Sequence, residues 1–123
     1  MTSRYKRDQT EYKDDDRFNP KKITGKISQA RWHNDATWKV LDLLREAAGK
    51  HNLTEAECTL RWLNHHSALK QERGDGVIIG ASRPDQLEES LINFEKGPLP
   101  EDVVEAIENG WKAIKGVAPQ YAY

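Results

Sequence analysis

One cysteine, Cys58, stands in the whole chain of 123 residues, so no internal disulfide can form. That absence fits a reducing compartment, and the cytosol is the expected setting. No stretch approaches the roughly 20 consecutive apolar residues needed to cross a bilayer, and the first residues lack the apolar run of a signal peptide. Membrane insertion is therefore not expected. A dominant charge is missing too: 19 Lys and Arg face 20 Asp and Glu, a formal net charge of -1. No global field draws the chain to nucleic acid or to an anionic lipid surface. Apolar material is scarce as well. With 37% hydrophobic and 32% charged residues and a mean hydropathy of -0.88, the chain can bury only a modest core. The length suits one domain or part of one, and there is no internal repeat.

Strand signals are almost as scarce as cysteine. The first 34 residues, rich in Lys, Arg and Asp and broken by Pro20 and Gly25, show neither a helical nor a strand period. They read as a long loop, either folded over a ligand or disordered. From Asp35 the pattern changes. Trp38, Leu41, Leu44 and Ala48 recur at helical spacing, with Asp35 in the N-cap position and Gly49 near the stop. Thr54 and Glu57 have the spacing of a capping box, and Leu53 with Cys58 that of a hydrophobic staple, so a second helix is expected to run to about Leu69. A polar turn from Lys70 to Asp75 follows. Gly76-Val77-Ile78-Ile79-Gly80 is the only strand candidate, and its three central β-branched residues do not alternate with polar ones. Such a strand is buried on both faces, as in a parallel sheet covered by helices. Its amides and carbonyls then require neighbouring strands that this sequence does not supply. The chain reads as a piece of a larger α/β domain, or one that borrows strands. Ser82 and Asp85 form a further capping-box pattern around Pro84, opening a helix with Leu87, Leu91 and Phe94 as its stripe. A last helix is expected from about Pro100, with Val103, Val104, Ile107, Trp111 and Ile114 on one face.

The junction Gly80-Ala81-Ser82-Arg83 carries the most chemistry. Small residues admit a ligand to the backbone, a helix N-terminus offers free amides and partial positive charge, and Arg83 adds a planar donor fork. A phosphate suits it; a plain strand-to-helix turn is the alternative. Other candidates have structural readings. His65 and His66 are adjacent on a helix and point about 100° apart, which prevents both from facing one metal ion. Asp14-Asp15-Asp16 lacks the spacing of a calcium loop and reads as a solvated acidic run. Trp38, Trp62 and Trp111 fall on helical stripes as packing anchors, whereas Trp32 lies between Arg31 and His33 before the first expected helix. That position suits either substrate contact or local packing. Cys58, at its staple position, is expected to be buried rather than nucleophilic.

Taken together, CTLRWLNHHSAL (58–69), GDGVIIGASRPDQLEESL (74–91), GPLPEDVVEAIENGW (97–111) and APQY (118–121) resemble the C-terminal part of the aldo-keto reductases. The likeness is greatest to the aflatoxin aldehyde reductase and succinic semialdehyde reductase branch. The opening MTSRYK resembles the stretch after that branch's next-to-last barrel strand, so the resemblance covers nearly the whole chain. It implies an α/β fold, the C-terminal part of a (β/α)8 TIM barrel, with Gly76–Gly80 as the eighth strand. It implies NADPH as cofactor, its 2′-phosphate and adenosine gripped by Gly80, Ala81, Ser82, Arg83, Gln86, Glu89 and Ser90. Ser90 replaces an Asn that in the branch reaches the adenine. Arg17 matches an arginine that helps hold the cofactor, and Arg4-Tyr5-Lys6 matches the edge of the preceding cofactor loop. Arg31 matches an arginine that pairs with substrate carboxylate, while a neighbouring family tyrosine is Ser28 here. The catalytic Asp, Tyr, Lys and His of the family come from earlier barrel strands, and Tyr5, Tyr12, Tyr121 and Tyr123 match no catalytic position. The expectation is a reductase segment for aldehydes or ketones that is inactive as this chain alone. Its partners would be a small carbonyl substrate and either a second copy or the remaining barrel. The rival reading is a non-enzymatic helical interaction module with exposed apolar stripes.

Overall fold

The computed structural model describes residues 5–118, among which five α-helices run α1 (Ile23–Trp32), α2 (Asp35–Gly49), α3 (Glu55–His65), α4 (Pro84–Glu95) and α5 (Glu101–Ile114), with a short 3-10 turn at Gln71–Arg73. Arg4 and the APQY tail from Pro119 onward, including Tyr121 and Tyr123, lie outside the described residues. No helix among the described residues is long and apolar enough to cross a membrane.

The core forms where α2, α3 and α5 meet. Leu44, Ala47 and Ala48 of α2, Cys58 of α3, Leu99, and Val103 of α5 are buried together, and Leu53, Trp62, Val104, Ala106 and Ile107 pack around them. Small residues let the helices close. At Gly110 of α5 a Cβ would sit 2.5 Å from Cγ1 of Val40 on α2, so glycine sets the distance between these two helices.

Two helix starts follow from side-chain oxygens. Asn34, one residue before the expected Asp35, caps α2 by accepting the Thr37 amide at 2.9 Å. Thr54 caps α3 by accepting the Glu57 amide at 3.1 Å. Glu57, instead of closing the box, turns its carboxylate to Arg61 at 2.8 Å and Lys96 at 3.1 Å. The α3 helix ends at His65, short of Leu69, because its last turn is spent on the connection between α4 and α5. Asn64 donates to the Phe94 carbonyl (2.8 Å) and His65 Nε2 to that of Lys96 (2.7 Å). Arg61 donates to the carbonyls of Gly97 and Pro98, both at 2.7 Å, and His66 Nε2 accepts the Leu99 amide at 3.0 Å.

Three expectations are corrected here. The first 34 residues are not loop throughout: 23–32 form α1, whose apolar residues Ile23 and Ile27 face outward and give no amphipathic signal. The loop before α1 is tied down. Tyr5 stacks on Phe18 (4.6 Å), Arg7 pairs with Asp42 of α2 (2.9 Å), and Gly25 lies against the Asn19 carbonyl where no Cβ would fit. Second, Gly76–Gly80 is not a strand buried on both faces. The segment is irregular, with Ile78 99% exposed, since no described strand offers its backbone a ladder. Third, the α4 stripe does not face a core: Leu87 and Leu91 are exposed and only Phe94 is half-buried.

Two outcomes test this packing. Gly110→Leu should lower stability by about 1–3 kcal/mol, the usual cost of overpacking, with part of the loss recovered by Val40→Ala in the double variant, as read from urea unfolding. The second concerns pH. Burial, then the nearby charges of His65 and Arg61, hold the His66 pKa below its ordinary 6.5. A histidine neutral when folded binds fewer protons than the unfolded chain does, so its contribution is complete above pH 6.5 and is lost as pH falls through the folded value. Acidification from pH 7.5 to 5 should therefore lower the melting temperature more steeply in the wild type than in His66→Gln, whose amide oxygen can still accept the Leu99 amide without titrating.

Candidate functional site

The N-terminus of α4 is built by what its sequence lacks. Arg83 occupies the N-cap position and no side chain caps the helix, while Pro84 in the first turn has no amide to satisfy. Ahead of it Gly80, Ala81 and Ser82 are exposed, and Gly80 has open space where a Cβ would project. Ser82, expected to close a capping box with Asp85, instead donates its hydroxyl to Oε1 of Gln86 at 3.0 Å. Gln86, Glu89 and Ser90 then line one face of the first turns, because positions three and four apart stack on a helix.

Asp85 engages the guanidinium fork of Arg83. Its two carboxylate oxygens each accept a hydrogen bond from Arg83, one from Nε and one from Nη2, both at 3.0 Å. The pair lies in solvent, with side chains 61% and 67% exposed. The hydrogen bond from Arg83 keeps the Asp85 carboxyl below the usual carboxylate range, helped by the amides of Asp85 and Gln86. The same bond raises the pKa of Arg83, to which Asp15 in the N-terminal loop also contributes. One carboxylate thus uses the guanidinium fork and first-turn amides that a phosphate would use.

Other residues singled out in the sequence are spread around this turn. Arg17 is exposed in the N-terminal loop, two positions after the Asp15 whose charge reaches Arg83. Arg31 is in the last turn of α1, three residues after Ser28, beside Trp32, which is half exposed. It stands on a different element from Arg83. Tyr12 donates its hydroxyl to the Gln9 carbonyl at 3.0 Å, and Tyr5 is stacked on Phe18, so both tyrosines do local structural work. Cys58 is fully buried, and burial, with the Glu57 carboxylate adjoining, pushes its thiol up to about 11. A thiol held protonated is no nucleophile at neutral pH. His65 and His66 each hold the connection before α5, and no group of three metal-ligating side chains gathers among the described residues.

Sequence reading missed two features. Asp85 was legible only as a capping residue, although a carboxylate two positions after an N-cap arginine could have signalled the pair. The second is a cleft between the end of α3 and α5, lined by Trp62, His66, Ser67, Ala68, Ile107, Glu108 and Trp111. Trp62, Ile107 and Trp111 fall on helical stripes that look purely structural in sequence, and the rest of the lining lies beyond the end of α3 or off the α5 stripe.

Residues 1–112 match the family described as the aldo/keto reductase family. An aldo-keto reductase of Pseudocercospora fijiensis is 45% identical over 123 residues, 99% of this chain and 41% of the relative. The aldo-keto reductase pigE of Monascus ruber is 46% identical over 123 residues, 98% of this chain and 36% of the relative. Aflatoxin B1 aldehyde reductase member 2 of Rattus norvegicus is 38% identical over 89 residues, 72% of this chain and 24% of the relative. The chain therefore spans about two fifths or less of the length of these proteins.

Proposed function

The chain belongs to the aldo/keto reductase family, and from that membership we propose that it serves as the C-terminal, cofactor-gripping segment of an NADPH-dependent reductase of aldehydes or ketones. The single observation that carries this is the N-terminus of α4, where the Arg83 fork, engaged by the Asp85 carboxylate through Nε and Nη2, stands at an uncapped helix start. These residues fit the group: the turn is open, the helix is uncapped and the fork is solvent-accessible. NADPH, when bound, supplies the hydride. This chain's residues do the holding. Arg83 would hold the 2′-phosphate in place of Asp85, Gly80 and Ala81 would let the phosphate approach the backbone, and Ser82 keeps Gln86 in place. Gln86, Glu89 and Ser90 would line the adenosine, Arg17 would add charge from the loop, and Arg31 is the residue proposed to meet a substrate carboxylate. Proton donation to the carbonyl belongs to residues of earlier barrel strands, so the chain alone is inactive in this reading. The proposed barrel places Gly76–Gly80 as a strand against neighbours supplied by those earlier strands, and a cytosolic setting goes with it.

A second reading, a non-enzymatic interaction module, draws on the exposure of Ile78, Leu87 and Leu91, an apolar set that a partner such as a second copy would cover.

Calorimetric titration with adenosine 2′,5′-bisphosphate and with 5′-AMP separates the two. The 2′-phosphate should tighten binding, Arg83→Met should weaken the bisphosphate roughly tenfold or more, as loss of a charge-assisted hydrogen bond implies, and Asp85→Asn should strengthen it by removing the competing carboxylate. Equal affinity for both nucleotides, untouched by Arg83→Met, overturns the grip and favours the module. Turnover of a simple aldehyde with NADPH by the purified chain would overturn its inactivity.

A further inference from the structure

The cleft between α3 and α5 encloses about 480 Å³, within the range of small-molecule sites. Trp62 forms one wall, half-buried against the core, and Trp111 another, with half its surface in water. Ile107 lies between them, and Ser67 and Ala68 close the α3 end. Glu108 is the charged group in the lining. Its Oε1 accepts the Trp62 indole N–H at 3.2 Å, which fixes the carboxylate beside the ring and leaves its second oxygen available. The lining histidine adds no positive charge, since His66 spends Nε2 accepting the Leu99 amide and is held neutral.

The nearby cations are turned elsewhere. Arg61 points to Glu57 and to the carbonyls of Gly97 and Pro98, and Lys112 donates to Asn109 at 3.4 Å. Among the described residues Glu108 forms no ion pair. The cleft thus has one carboxylate, that of Glu108, and two indoles, those of Trp62 and Trp111, in its lining. An anionic ligand would be repelled by Glu108, and a neutral apolar one would strip water from a carboxylate without compensating it. A primary ammonium would ask for several hydrogen bonds where one carboxylate is offered. An alkylated ammonium, whose charge is spread over methyl groups, needs only aromatic faces and one counter-charge.

We propose that Trp62, Glu108 and Trp111 form a binding site for a small alkylated ammonium ion, separate from the α4 N-terminus. Choline and its uncharged isostere 3,3-dimethylbutan-1-ol are the probes, titrated into the 123-residue chain while the indole N–H resonances and tryptophan fluorescence are followed. Choline should saturate with an affinity of about millimolar, and the isostere should bind roughly tenfold more weakly or not at all. Glu108→Gln keeps an acceptor for Trp62, so it should weaken choline about tenfold while leaving the isostere unchanged. Trp111→Ala, at a half-exposed position, should weaken both, and circular dichroism checks that each variant remains helical. No saturation by choline up to about 100 mM, or equal binding of the isostere, overturns the proposal. Should Glu108→Gln fail to fold, unchanged choline binding by Trp111→Ala overturns it as well.

Discussion

Arg61 is the residue on which the arrangement of the chain turns. Its guanidinium spans from Glu57, one turn earlier on its own helix, to the carbonyls of Gly97 and Pro98 on the connection between α4 and α5. A polar chain with a small core cannot fix that connection by apolar burial alone. It does so by holding five backbone groups between Phe94 and Leu99 with side chains from the end of α3. Both members of the Arg61 and Glu57 pair are nearly buried, at 13% and 10% exposure, where an ion pair repays its desolvation only when every lone pair and proton is used. Here Lys96 takes the second oxygen of Glu57 and the two carbonyls take the rest of the fork. With the connection fixed, Leu99 and Val103 enter the core, and α5 lies across α2 at the distance Gly110 permits.

That dependence explains what could be read from the sequence. Helices α2, α3 and α5 were legible because local signals, caps and apolar spacing, agree with the packing that results. The Thr54 cap and the burial of Cys58 are instances. What resisted reading depends on distant residues. Nothing at 23–32 marks a helix, since α1 carries Ile23 and Ile27 outward and is placed by the loop that Asn19 and Phe18 fold around it. Glu57 carries a capping-box signature, yet its carboxylate is claimed by Arg61 and Lys96, one of them far along the chain. The candidate site was legible in position, through Gly80 and the start of α4, but not in occupancy.

The segment Gly76–Gly80 shows the opposite failure, a strong local signal left without its partner. Three β-branched residues in a row state a preference for extended backbone and burial. A strand, however, is defined by its neighbours, and an isolated one leaves every amide and carbonyl to water. Ile78 consequently stands almost wholly in solvent, and the Leu87 and Leu91 stripe of α4 is exposed with it. The same residues would be the most buried part of a barrel.

Asp85 draws these lines together. An uncapped helix start with a forward-facing arginine is a poor thing to leave in water. The chain resolves it by folding its own carboxylate into the gap, at the modest strength of an exposed ion pair. In the proposed site a ligand carrying two negative charges would have to displace this exposed carboxylate from the guanidinium. An arginine at an open helix terminus is legible in sequence as a potential anion site; what the fold adds is the carboxylate two residues on, which engages the fork from within the chain.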